Sequence, residues 1–232
     1  MGVITVSRQL GSHGCEIAAE VAGMLGFRLV DREIIHRAAQ EAGVPRVALQ
    51  ELAYEGRRNV SDRILQSVNA MPPVPVAPET WKREAAASFA QPFGGFFSPA
   101  VPPFAVTLKD YVDMVGMVVR DLAAQGSVVI AGRGGQALLR GSPDVLHVQI
   151  VAPLEHRVAV VAQRESIDRE EALQRVKASD QARRDYLRRY HRVQWLDPLL
   201  YDLVLNTLKI PVRLAAGMIV DAYRQLPAVD RG

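Results

Sequence analysis

ITVSRQLGSHGCEIAAEVAGMLG, residues 4–26, passes from a short apolar run into a turn of small residues and then into a helix-patterned segment. Val3, Ile4, Thr5 and Val6 read as a strand, and Ile17, Val21, Met24 and Leu25 fall at helical spacing before Gly26 stops the helix. A strand, a glycine-containing loop and a helix in that order make a place for phosphate. The glycines let backbone N–H groups converge, and the first helical turn adds unpaired donors and the positive end of its dipole. Gly11, Ser12, His13, Gly14, Cys15 and Glu16 are therefore the expected phosphate-binding residues. Against the standard loop G-x-x-x-x-G-K-[ST] the match is degenerate. Aligning Gly14 with the last glycine puts Gln9 at the first glycine, Cys15 at the lysine and Glu16 at the hydroxyl.

Working outward, 27–30 reads as a second strand ending at Asp31, and helical periodicity resumes over 32–42, continuing in more polar form over 44–68. Residues 71–104 hold eight of the chain's 14 prolines together with Trp81 and five phenylalanines, so no long element is expected there. This Pro/Phe-rich irregular insert reads as a flap, as a surface for a second copy of the chain, or as an excursion packed on its own domain. An amphipathic helix spans 107–125, and the third strand, 128–131, runs directly into Gly132-Arg133-Gly134-Gly135 and a short helix to 139. The fourth strand covers 146–151. Residues 155–192 are charged, helical and dense in arginine; a strand over 202–206 and a helix over 211–225 close the chain. Strands alternating with helices imply an α/β fold with a five-stranded parallel sheet covered on both faces.

With 232 residues, 49% of them hydrophobic and 23% charged, residues 1–232 read as one domain. A formal charge of +3 is weak support for a nucleic-acid partner, and no nucleic-acid motif is present. One cysteine excludes an intrachain disulfide framework, and no apolar run approaches the roughly 20 residues of a membrane span. No His or Cys cluster has metal-ligand spacing. A soluble, cytoplasmic protein with no membrane partner is expected.

The quoted opening, LVDREIIHRAA (29–39), VVIAGRGGQALL (128–139), LHVQIVAPLEHRVAVVAQRE (146–165), SDQARRDYLRRY (179–190) and YDLVLNT (201–207) together resemble the cytidylate kinase-like branch of the nucleoside monophosphate kinases. The resemblance implies a P-loop kinase fold with a helical, arginine-rich lid over 155–192. It also implies transfer of a phosphoryl group from ATP with Mg²⁺ to a nucleoside monophosphate, CMP as the first guess. Two positions depart from cytidylate kinases proper: Gly134 stands where an aspartate follows the arginine, and Val176 where a further arginine is usual. A contrasting reading keeps the fold for nucleotide sensing or a structural role, because the loop has lost its lysine.

Arg133, flanked by glycines at a strand end, suits a ligand phosphate or a surface ion pair; the resemblance implies the acceptor phosphate. Asp180, Arg183 and Arg184 share one helical face, as an ion-pair ladder or as ligand-binding groups. The resemblance gives Asp180 and Arg183 to the acceptor and nearby arginines to charge on the phosphoryl in flight, and Arg8, Arg133, Arg183 and Arg184 are the expected catalytic residues. Asp31 reads as a nucleotide contact, a helix N-cap or both. Arg8 is the expected replacement for the lysine's charge. Arg157 and Arg164 fit either the site or a solvated face, Trp195 reads as packing, and Asn206-Thr207 as a border of the adenine pocket.

Overall fold

The computed structural model describes residues 2–31 and 108–226. The helical readings of 32–42 and 44–68 and the Pro/Phe-rich stretch 71–104 lie outside the described residues. Five strands form one parallel sheet: β1 (Val3–Arg8), β2 (Arg28–Val30), β3 (Val128–Ala131), β4 (Val145–Val151) and β5 (Leu203–Asn206), in the spatial order β2-β3-β1-β4-β5. β1 is central. It pairs in parallel with β3 (Val3 with Val128, Val6 with Ala131) and with β4 (Val3 with Val145, Arg8 with Ile150).

The period of two along these strands divides the interior into two clusters. Ile4, Val6, Val129, Leu146, Val148 and Ile150 point to one face, where they are covered by α1 (Gly14–Leu25) and α6 (Val212–Gln225) through Ile17, Val21, Ala216 and Ile219. Val3, Val128, Ile130 and Val145 point to the other, where α2 (Leu108–Gln125) supplies Val112, Val115 and Val119. The residues between them on this second face are polar: Thr5, Ser7, His147 and Gln149 are all buried. Ser7 ties the carboxyl end of β1 to residues 195–201, and His147 N–H donates to Asp202 Oδ2 at 2.7 Å. Trp195, 1% exposed, donates from Nε1 to Ser7 Oγ at 3.0 Å, and the Tyr201 hydroxyl donates to Trp195 O at 2.6 Å. Burial pushes the Tyr201 hydroxyl up to about 12, so it remains a donor throughout the neutral range.

After β3 the chain makes a short helix, α3 (Gly135–Leu138), and after β4 the packed pair α4 (Leu154–Glu165) and α5 (Arg169–Tyr186), whose own apolar cluster contains Val158, Val161, Ala172 and Val176. Asp168 caps α5, its carboxylate accepting from Glu171 N at 2.8 Å. A π-helical turn, Leu187–His191, ends α5 at Arg192, whose φ is 57°. Among the described residues the five strands and the helices 14–25, 108–125 and 212–225 agree with those read from the sequence to within a residue or two, while the stretch 155–192, read as helical throughout, is interrupted at Ser166–Asp168 and ends in the π-helical turn.

Ile17 is fully buried beneath the loop that precedes α1. Ile17→Ala is expected to lower stability by about 3 kcal/mol, measured by urea denaturation, through lost transfer energy and the cavity left behind. His147 gives a pH dependence. Burial holds its pKa below the ordinary 6.5, with Asp202 and the Leu139 backbone opposing, while Thr5 Oγ1 lies 2.7 Å from its Nδ1. The unfolded chain then binds more protons below about pH 6.5, so stability falls as pH drops from that point toward the depressed folded value. His191 is shifted the same way by burial and Arg120, with Asp113 opposing. His147→Asn, which keeps a polar atom near Thr5, should flatten but not abolish the decline in urea midpoint between pH 7.5 and 5.5; an unchanged slope contradicts this.

Candidate functional site

The loop 9–13 leaves β1 at the carboxyl edge of the sheet, between the strands that lead left to β3 and right to β4, where doubly wound sheets bind ligands. Gln9, at the position of the missing first glycine, is zipped to β4 twice. Its N–H donates to Ile150 O at 3.1 Å, and its side-chain Oε1 accepts from Ala152 N at 3.0 Å. Ser12, fully buried, turns its hydroxyl inward to Gln9 O at 2.8 Å. Thr207 Oγ1 donates to Ser12 O at 3.1 Å, so the end of β5 clasps the loop from the far side. Gly11 has φ 80°, and a Cβ there would lie 2.5 Å from Arg157 O, so only glycine lets the loop sit against the start of α4.

Arg157 fastens this assembly. Although its helical position fitted a solvated face, its side chain is buried, 4% exposed as a residue. Nε donates to Ala152 O at 3.0 Å, Nη1 to Leu10 O at 3.5 Å, and Nη1 and Nη2 together grip Asp180 at 3.1 and 2.9 Å. One guanidinium therefore joins the end of β4, the loop and α5. Asp180, expected beside Arg183 and Arg184, has its two oxygens taken by Arg157 from the neighbouring helix.

The remaining expected residues fall into two groups. At the mouth of α1, His13 has φ 58° and Ile17 N to His13 O (3.0 Å) is the first helical hydrogen bond, so the helix leaves the amides of Gly14, Cys15 and Glu16 for another acceptor. Cys15 and Glu16 are exposed, and His13 Nδ1 is 3.5 Å from Glu16 Oε1. On the β3 side, Gly132, Arg133 and Gly134 all have positive φ (84°, 54° and 69°). Left-handed backbone at Arg133 costs about 1 kcal/mol or more, a strain typical of ligand-binding turns. Arg8 crosses from β1 to this turn: a Cβ on Gly14 would collide with its stem and one on Gly132 with its Nη1. Arg183 lies with Cζ 5.7 Å from the Trp195 ring centre and donates to the Ser179 side chain, which brings it toward the same edge through the Trp195–Ser7 contact. Arg184 is exposed, donates to Gln181 Oε1 at 3.4 Å, and faces a cleft between α4 and α5 with Lys177. Asp31, half-buried, follows β2.

Residues 3–209 match the cytidylate kinase-like family. The chain belongs to that family. It is 37% identical over 99 residues to the cytidylate kinase of Methanopyrus kandleri, covering 38% of this chain and 50% of that protein. With the cytidylate kinase of Methanocaldococcus jannaschii it is 29% identical over 108 residues, 46% of this chain and 61% of that one. The chain thus spans about half the length of the curated relatives it matches. An uncharacterized protein from Eubacterium ventriosum of known crystal structure shares the fold, with a TM-score of 0.64, 18% identity, and coverage of 97% and 99% of the two chains. The architecture is the P-loop kinase fold of this family, a five-stranded parallel sheet between helices.

Within it, sequence patterning did not disclose Arg157 as the clasp, the inward role of Gln9 and Ser12, or the contact of His191 with Gly134, where a Cβ would lie 2.8 Å from Nε2. Arg157 and Asp180 lie 23 residues apart on different helices, and the contacts of Gln9 with Ile150 and Ala152 and of His191 with Gly134 span more than 50 residues, so helical spacing carries no trace of them. Arg157→Met leaves Asp180 buried and unpaired, and is expected to destabilise the protein by about 3–5 kcal/mol in urea titration. Adding Asp180→Leu should recover a substantial part; a single variant as stable as the parent contradicts the clasp.

Proposed function

We propose that this protein is a nucleotide kinase that moves the terminal phosphoryl group of ATP to a nucleoside monophosphate, with CMP the first acceptor to test. The observation that carries the reading is the placement of two phosphate-suited backbone features at one edge of adjacent parallel strands. One is the loop with the amide-rich mouth of α1; the other is the left-handed Gly132-Arg133-Gly134 turn. ATP phosphates would lie against the amides of Gly11 to Glu16, and the acceptor phosphate against Arg133, with Asp31 and Arg183 bordering it. An acceptor oxygen attacks the terminal phosphorus, the bond to the bridging oxygen breaks, and ADP leaves with the electron pair; no covalent enzyme intermediate is needed.

Mg²⁺ would enter bound to ATP oxygens. The Ser12 hydroxyl is fully buried, so Asp31 and Glu16 would be the carboxylates to meet the metal's waters. The metal would supply charge neutralisation, while this chain's residues would orient the nucleotides and exclude water. Family membership supports the kinase class, and the relatives' names suggest the acceptor.

Cys15 at the lysine position favours a second reading, nucleotide binding without transfer, because a fixed charge on the moving phosphoryl is commonly worth several kcal/mol. A coupled ADP-release assay with ATP·Mg and a panel of nucleoside monophosphates separates the two. Turnover above the ATPase background, with kcat/KM reduced about 10²–10³-fold in Arg133→Ala, is the expected result. Measurable binding of both nucleotides with no acceptor-dependent ADP supports the second.

A further inference from the structure

The two outer glycines of the turn after β3 each leave room for a basic side chain from another part of the fold. Gly132 admits the Arg8 guanidinium from β1, and Gly134 admits the His191 imidazole from the π-helical turn at the end of α5. We propose that Arg8 and His191 form, on either side of Arg133, a seat for the phosphate monoester of the acceptor nucleotide, so that Arg8 serves the acceptor and not ATP. The proposal deepens the kinase reading and rests on it for the assignment of the turn to the acceptor.

Direction is the first argument. Gln9, Leu10, Gly11 and Ser12 make their contacts with Ile150, Ala152, Arg157 and Thr207, all on the β4 and β5 side of β1. Arg8 leaves the same strand the other way, crossing Gly14 and ending over Gly132 on the β3 side. A lysine substitute for the donor phosphates would have to stay with the loop. Arg8 departs from it.

Unused hydrogen-bonding capacity is the second. Arg8 Nε and His191 Nε2 are both closed to solvent and have no hydrogen-bond partner among the described residues. Buried donors of this kind are rarely left so, and each such group calls for an explanation. Both sit at the turn whose central residue is an arginine in left-handed conformation. Burial and the nearby Arg120 disfavour the His191 imidazolium, with Asp113 opposing. A neutral imidazole still donates when its proton is on Nε2. Two guanidinium groups and one neutral N–H match a dianionic phosphate, giving charge from Arg8 and Arg133 and a directional donor from His191.

Position is the third. Ser7, next to Arg8, accepts from Trp195, and Arg183 lies over that indole. The seat is thus held by the same buried network that anchors the end of the lid to β1. A phosphate bound there would touch both the sheet edge and the π-helical turn, and would draw Leu187–His191 onto the acceptor.

Isothermal titration of the full chain and its variants with CMP, with inorganic phosphate and with a non-hydrolysable ATP analogue tests this. Arg8→Ala should weaken CMP at least 10-fold while the ATP analogue changes less than twofold. Arg8→Lys should fall between, since a point charge lacks the forked geometry. His191→Phe should weaken CMP severalfold and leave the analogue alone. Gly132→Ala should weaken CMP in the parent, and add less in the Arg8→Ala background, where there is no guanidinium to displace. Should Gly132→Ala not fold, the Arg8 and His191 variants decide alone. Unchanged CMP affinity in Arg8→Ala, an equal or larger loss for the ATP analogue, or a parent protein that binds no nucleoside monophosphate overturns the proposal. If the parent binds CMP with these dependences and yet transfers no phosphoryl group, the kinase reading fails and the seat stands.

Discussion

Arg157 carries a charge into the interior and spends every contact on keeping three distant segments together. Its bonds to Ala152 O, Leu10 O and the Asp180 carboxylate join the end of β4, the loop after β1 and α5. A buried ion pair is seldom a net source of stability, because desolvation offsets the attraction. Its effect lies in what is forbidden. With Asp180 held and Gly11 pressed against the Arg157 backbone, the loop has one position relative to α4 and α5, and the amides at the mouth of α1 are fixed with it. Such preorganisation is the greater part of what a protein contributes to phosphoryl transfer.

This explains how a degenerate loop can keep its form. In the standard motif, glycines and a lysine shape and charge the nest. Here Gln9 replaces a glycine and extends the pairing of β1 with β4 through its side chain, and Ser12 folds its hydroxyl back onto Gln9. Form is preserved by hydrogen bonds within the protein. Charge is redistributed, with Arg8 sent across Gly14 to the neighbouring strand end.

The sheet and its helices were legible because each strand is a short apolar run and each covering helix repeats at 3.6 residues. Val128 to Ala131 and Val3 to Val6 have no competing period. Trp195 was legible as packing, and Gly132-Arg133-Gly134 as a strand-end turn. What was hidden is non-local. The spacing of Asp180, Arg183 and Arg184 suggested mutual pairing, but a carboxylate facing a second helix takes the better bidentate partner there, Arg157. Likewise the glycines of the turn were visible, while the side chains filling the space above them, Arg8 and His191, come from residues 124 and 57 positions from Gly132 and Gly134 respectively. Nothing in a linear pattern links them.

In the proposed arrangement the loop 9–13 and the turn 132–134 face a single cleft that would hold a chain of phosphates. A crystal structure with a dinucleoside polyphosphate, in which one nucleoside stands for ATP and the other for the acceptor, tests it most directly. Phosphates are expected to run from the amides of Gly14, Cys15 and Glu16 to the guanidinium of Arg133. Polyphosphate lodged in the cleft between α4 and α5, or bound with neither backbone feature touching it, would contradict it.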